Sequence, residues 1–162
     1  MSDAHDPGPS APQPGLTHVF SLRGELAPPV EQGEIDGGRR RFIPVTGGRV
    51  YGPLLQGTLR PGGGDWQSVL PGGLTEVLAR YFIEAADGTV IAVTNAGVRT
   101  ASPEVIDKLT RGIEVPADQY YFRTTPRFEV RAGPHGWLRR HMFVARGIRG
   151  PDHVIVDFYR VD

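Results

Sequence analysis

Cysteine is absent from the 162 residues, lysine and asparagine occur once each, and 18 basic residues balance 18 acidic ones. Each scarcity removes a class of chemistry. Without cysteine there is no disulfide framework, no thiolate nucleophile and no Cys-ligated zinc or iron–sulfur site. The one lysine, Lys108, falls on the exposed side of a predicted helix, which sets aside Schiff-base and lysine-nucleophile chemistry. A balanced charge, with few aromatics and none interleaved with a basic patch, argues against a nucleic-acid partner. No apolar run approaches the roughly 18 residues of a spanning helix, so no membrane partner is expected. The N-terminus has no basic stretch leading into an apolar one, so the expected compartment is the cytoplasm. The histidines show no H-x-H or H-x-x-x-H spacing, and no metal site is expected. There is no G-x-S-x-G elbow and no phosphate loop, and Gly47–Gly52 does not fit a dinucleotide fingerprint, so no cofactor is expected.

What the chain has in abundance is glycine and proline, 22 and 15 of them. Part of this excess is local. Residues 1–15 carry Pro7, Pro9, Pro12, Pro14, Gly8 and Gly15 with no aromatic or branched aliphatic side chain, the composition of a disordered tail. The remaining 16–162 reads as one domain. In it, Gly/Pro clusters separate nine strand-like runs: Thr17–Ala27, Arg39–Val45, Arg49–Arg60, Asp65–Leu70, Leu74–Ala85, Thr89–Thr100, Tyr120–Arg131, Trp137–Arg149 and Asp152–Val161. Asp87-Gly88 between two such runs is a hairpin signal. Residues 102–112 differ: a Ser cap, Pro103 at the first position, apolar residues at 105, 106 and 109 and a closing Gly112 predict one short helix. The fold class is therefore all-β with one short helix, and the spacing predicts an antiparallel barrel.

Period-two alternation assigns faces. One face of Thr89–Arg99 holds Ile91, Val93, Asn95, Gly97 and Arg99. One face of Tyr120–Val130 holds Tyr120, Phe122, Thr124, Pro126, Phe128 and Val130, leaving Tyr121, Arg123, Thr125, Arg127 and Glu129 opposite. One face of the Trp137 run holds Trp137, Arg139, His141, Phe143 and Ala145. Aromatics and polar groups on one side suit a barrel that encloses a ligand cavity better than a solid core.

The candidate chemistry follows from those faces. His141 is either a general acid or base or a packed or surface histidine. Asp65, directly after three glycines, is either a turn residue bonded to local backbone or a carboxylate at a pocket rim beside Trp66 and Gln67. Glu129 with Arg123, Arg127 and Tyr121 is either a surface ion-pair face or an inward pair that orients a substrate. Arg80, between Leu78 and Phe82, and Arg99 lie in apolar strands; a buried arginine needs a partner, so each is functional or half of an ion pair. Arginine forks also suit carboxylates and enolates. Asn95 is a bulge residue or a pocket amide.

Several of these segments together resemble one known family. They are Arg40-Arg41-Phe42-Ile43-Pro44-Val45-Thr46-Gly47-Gly48, Tyr51-Gly52-Pro53, Gly57, Pro61-Gly62-Gly63-Gly64-Asp65-Trp66-Gln67, Ala79-Arg80-Tyr81, Asn95-Ala96-Gly97-Val98-Arg99 and Tyr121 through Glu129. In order and in length they resemble domain of unknown function 3237, also called uncharacterised protein family 0311, over about residues 17–161. The resemblance implies a compact β-barrel, lipocalin-like or allene-oxide-cyclase-like in outline. It carries over Asp65, Trp66, Arg80, Tyr81, Asn95, Arg99, Tyr121, Arg123, Phe128, Glu129 and Trp137 as motif positions. The chain departs from it at Gly72-Gly73, where members often have Asp-Gly.

The expected function is binding of a small, partly apolar metabolite inside the barrel, with cofactor-independent cyclase, isomerase or lyase chemistry. Asp65, Glu129 or His141 would move the proton, and Arg80, Arg99 or Arg123 would hold an oxyanion. Trp66, Phe128 and Trp137 would shape the cavity, and Tyr81, Asn95 and Tyr121 would contact substrate. A non-catalytic carrier is the alternative, and a homodimer is possible.

Overall fold

The computed structural model describes residues 11–162. The expected tail over 1–15 lies largely outside the described residues. Ten strands form: β1 (Leu16–Leu26), β2 (Val30–Ile35), β3 (Gly38–Tyr51), β4 (Gly57–Leu59), β5 (Gly64–Leu70), β6 (Leu74–Ala85), β7 (Val90–Thr100), β8 (Tyr121–Glu129), β9 (Met142–Arg149) and β10 (His153–Val161). Every pairing is antiparallel. Going round, β1 pairs β10, then β9, β8, β7 and β6 follow; β4 and β5 share the place between β6 and β3, and β3 returns to β1. The sheet therefore closes as an eight-position antiparallel barrel and leaves no long free edge. β2 is an arm hairpinned onto β3.

The turns follow local chemistry. Asp36 and Gly37 both take positive φ (52° and 81°) between paired Ile35 and Gly38. Aspartate tolerates that region and glycine adopts it freely, which gives the two-residue hairpin with the twist the strands require. The Asp87-Gly88 turn forms as expected, with Asp87 Oδ1 accepting from the Thr89 amide at 3.0 Å. The predicted helix is present as α1 (Pro103–Thr110), with Ser102 Oγ accepting from the Val105 amide at 3.2 Å.

Three expected boundaries moved. The run 39–45 and the start of the run 49–60 are joined into β3 (Gly38–Tyr51), because Gly47 and Gly48 carry the strand on without ending it, and the end of the second run is the separate short strand β4 (Gly57–Leu59). A side chain at Gly48 would meet the Arg23 carbonyl oxygen at 2.0 Å, so that close crossing is open only to glycine. β2 was not expected: Glu31, Gln32 and Glu34 give it no apolar alternation, since it lies on the outside of the barrel. Trp137–Arg139 lies in a 3₁₀ turn (Gly136–Arg139) before β9, so alternation does not apply there.

Two apolar clusters fill the interior. The larger is built on Phe20, Phe128, Phe143 and Phe158 with Ile83, Ile91 and Leu138. Phe20 stacks on Phe158 at 4.4 Å, and Phe128 meets Phe143 edge-on at 5.1 Å. The smaller seats Ile106 and Leu109 of α1 on Val77, Tyr120 and Phe122. At about 1.5–3 kcal/mol for each fully buried large side chain, these clusters dominate the stability of the fold. No described helix is long and apolar enough to cross a membrane.

Candidate functional site

Between the two clusters, inside the barrel, is a cavity of about 60 Å³. Its two walls differ in chemistry. Leu22, Leu26, Val45, Leu59, Val154 and Val156 from β1, β3, β4 and β10 form an apolar wall. Asp65, Gln67, Tyr81, Asn95, Arg99 and Thr124 from β5–β8 supply a polar one, with Arg149 of β9 at its margin. Register explains how distant residues meet. Asp65 pairs with Ala79, Ala79 with Asn95, Thr75 with Arg99 and Gly97 with Thr124, so the inward positions of four neighbouring strands lie side by side.

Asp65 is held at both oxygens. Gln67 Nε2 donates to Oδ2 at 2.8 Å, and the Leu78 amide donates to Oδ1 at 3.0 Å. Burial raises its pKa above the usual aspartate range, while the Gln67 bond, the Arg99 charge, the Leu78 amide and the Arg149 charge pull it down. Arg99 is 2% exposed and lies over the Phe122 ring, its guanidinium carbon 5.5 Å from the ring centre. Burial and the nearby Arg149 charge depress its pKa to about 10. Among the described residues no ion pair joins Arg99 to Asp65, although each feels the other's charge. The Tyr81 hydroxyl is buried, and its pKa is pushed upward by desolvation and by Asp65 against a lowering by Asn95.

Arg149 and Arg41 flank this cluster with lowered pKa values, burial being the first cause in each. Both spend donors on main-chain carbonyls: Arg41 on Thr110 at 2.9 Å, Arg149 on Gly150 at 2.5 Å and His153 at 3.2 Å. The polar wall is otherwise short of partners. Among the described residues, Gln67 Oε1, Tyr81 Oη, Asn95 Oδ1, Arg99 Nε and Thr124 Oγ1 are buried without a hydrogen-bond partner, and all five residues line the cavity. Proteins rarely leave such groups unpaired, because each costs about 1–3 kcal/mol.

Of the residues expected from sequence, Asp65, Tyr81, Asn95 and Arg99 line the cavity. Six others face away from it. Arg80 shares the outward face of β6 with Leu78 and Phe82, which are 40% and 53% exposed; its apolar flanks are surface residues, not core. Trp66 is 49% exposed, stacked at 4.7 Å on Phe42, and with Arg80 and Glu129 lines an outer groove. Tyr121, Arg123 and Glu129 occupy the outward face of β8, where Arg123 lies over Tyr121 and forms no ion pair with Glu129. His141 is exposed in the turn before β9, its Nδ1 donating to the Trp137 carbonyl at 2.9 Å. Phe128 and Trp137 belong to the large apolar cluster and are not among the residues that line the cavity.

Gln67, placed by the sequence beside Asp65 at a pocket rim, is two residues from it and so on its face. The sequence does not mark Thr124, Arg149 or Arg41 as site residues. Arg149 is the inward continuation of Phe143, Ala145 and Gly147, a series obscured by the 3₁₀ turn at its start.

A family model described as "Protein of unknown function (DUF3237)" matches residues 14–161. The chain belongs to this DUF3237 family. Its relatives include UPF0311 proteins of Rhodopseudomonas palustris, 38% identical over 89% of this chain and 94% of the relative, and of Clostridium acetobutylicum, 39% identical over 88% and 91%. Among solved structures, a conserved R. palustris protein superposes with a TM-score of 0.89 at 37% identity, covering 94% of this chain and 100% of that one. A β-barrel-like protein of Acinetobacter baumannii gives 0.82 at 34%, covering 96% and 100%. An enzyme from Penicillium herquei gives 0.70 at 19%, covering 94% and 98%, a likeness of fold alone. In this DUF3237 barrel an aspartate, two arginines, a tyrosine and two amides line one interior cavity.

Proposed function

We propose that this DUF3237 protein binds a small, partly apolar metabolite in its barrel and rearranges it without a cofactor, as a cyclase, isomerase or lyase. The observation that carries this reading is the placing of Asp65 and Arg99, not ion-paired to each other, on one wall of a cavity lined by unpartnered polar atoms. A carboxylate whose pKa burial raises above the usual aspartate range is a stronger base than a free one, suited to take up and return a proton. A guanidinium that spends nothing on Asp65 is suited to hold the oxygen on which charge develops. Asp65 takes a proton from carbon next to a carbonyl, the C–H electron pair moves into the carbonyl, and the resulting enolate oxygen rests on Arg99. Return of that proton to another atom completes an isomerisation. Attack by the enolate carbon on a second carbonyl of the same molecule closes a ring, that carbonyl's π pair moving onto its oxygen, which takes the proton back from Asp65. Alternatively the enolate re-forms the carbonyl and expels a β-substituent, which leaves with the proton from Asp65, in a lyase step. Tyr81 and Asn95 orient the substrate, and the apolar wall excludes water.

The test needs no prior substrate. Purified protein is incubated with a small-molecule extract in D₂O and the extract is read by mass spectrometry. A proton-moving enzyme leaves one or more compounds deuterated or isomerised, and Asp65→Asn lowers that rate by about 10²–10⁴-fold. A compound that co-purifies with the barrel but shows neither labelling nor rearrangement turns the reading to a carrier.

A further inference from the structure

We infer that the ligand of this cavity is an organic carboxylate whose carboxyl group seats on the Arg99 fork and whose apolar body lies against Leu22, Leu59 and Val156. The inference rests on the binding reading above and names the class of molecule it serves.

Charge is the first support. Arg99 and Arg149 line the cavity against one carboxylate, Asp65, so its charged lining is net positive; Arg41, close behind, is partnered by Glu31 at 3.6 Å. Like charges buried together are costly, and an anion from outside offsets that cost. Donor accounting narrows the position. Arg149 and Arg41 are engaged by main-chain carbonyls, and both oxygens of Asp65 are engaged by Gln67 and Leu78. Arg99 is the guanidinium that lines the cavity with a buried Nε lacking a partner among the described residues. A planar fork of this kind matches the two oxygens of a carboxylate. The hydroxyls of Tyr81 and Thr124, also unpartnered, are further donors on the same wall.

Shape is the second support. The wall opposite the donors is made of aliphatic side chains. A carboxylate with a compact apolar body satisfies both walls, whereas a fully hydrated anion leaves the aliphatic wall unused and a neutral hydrocarbon leaves the donors unpaired. At about 60 Å³ the cavity is small beside the roughly 300–1,000 Å³ of drug-sized pockets, so the body is compact.

The test uses three probes of one shape and different charge, small enough for the cavity: propionate, propionamide and propionamidinium, titrated into the full-length protein by calorimetry near pH 7. Propionate is expected to bind at least tenfold more tightly than propionamide, with propionamidinium weakest. Arg99→Gln should abolish the propionate preference, while Arg80→Gln, on the outer face, should leave it unchanged. The fold of each variant is checked by circular dichroism. Equal or tighter binding of propionamide overturns the inference, as does a propionate preference that survives Arg99→Gln. So does the absence of propionate binding. The Asp65-dependent deuterium labelling is independent of these probes, so it can succeed when the carboxylate inference fails.

Discussion

Replacing Arg99 by methionine should make the protein more stable while removing the guanidinium of the proposed ligand site. Arg99 is 2% exposed, and its surroundings depress its pKa to about 10. The ordinary arginine value lies more than two units higher, and each unit corresponds to about 1.4 kcal/mol, so keeping this group charged in the fold costs on the order of 3 kcal/mol. Methionine has similar length, carries no charge and makes favourable contact with an aromatic ring such as Phe122. Part of the gain is lost, because Asp65 gives up a cationic neighbour that lowers its pKa. The expected net gain is about 1–3 kcal/mol, in the range seen when buried ionic groups are replaced by apolar ones. In urea, 2 kcal/mol moves the midpoint by about 1 M at an m-value of about 2 kcal/mol/M. In a thermal scan it raises Tm by roughly 4–8 °C for a chain of this size. Arg99→Lys, which keeps the charge and loses the fork, should show no such gain. The measurement is equilibrium urea unfolding with parent and variants at one pH. An Arg99→Met protein that is less stable at an unchanged m-value refutes the reasoning, since Arg99 would then be held by contacts of the fold itself.

Two further outcomes test the site's frame and its turns. A methyl group at Gly147 would lie 2.6 Å from the Phe122 ring on which Arg99 rests, so Gly147→Ala should cost about 1–3 kcal/mol in urea unfolding through forced displacement of that ring; an unchanged midpoint contradicts the close approach. The Asp87 pKa is lowered to about 2, first by the Thr89 amide and hydroxyl and then by His135. A depressed carboxylate stabilises the fold above its unfolded value near 4 and loses that contribution as pH falls through about 2. Asp87→Asn, which mimics the protonated form, should therefore lower Tm at pH 6, with the gap closing between pH 4 and 2. A gap that persists at pH 2 refutes the linkage.

Most of the barrel is readable from the chain. Gly/Pro clusters mark the strand ends, Asp87-Gly88 marks a hairpin, and Ser102-Pro103 with Gly112 marks the helix. The unread element, β2, lies outside the barrel, where no buried face imposes alternation on Glu31, Gln32 and Glu34. The candidate site divides along the same line. Asn95 and Arg99 were readable because β7 alternates cleanly, with Ile91 and Val93 inward on the same face. Arg80 misled because Leu78 and Phe82 flank it with apolar groups that the barrel leaves in solvent. His141 and Trp137 misled because a 3₁₀ turn interrupts the period of two.

Residue types and spacing by themselves determined that this chain has no thiol chemistry, that it forms antiparallel strands joined by glycine turns, and which residues in each strand share a face. Where both faces carry apolar groups, as in β6 with Leu78 and Phe82 on one and Val77 and Tyr81 on the other, they cannot say which is the interior. Strand register and the closure of β1 onto β3 decide that, and bring Asp65, Tyr81, Asn95, Arg99, Thr124 and Arg149 from five strands around one cavity. Their chemistry comes from that meeting. The same arginine on the outer face would be an ordinary solvated cation; in the interior it is 2% exposed, its pKa is lowered by burial, and it forms no ion pair with Asp65.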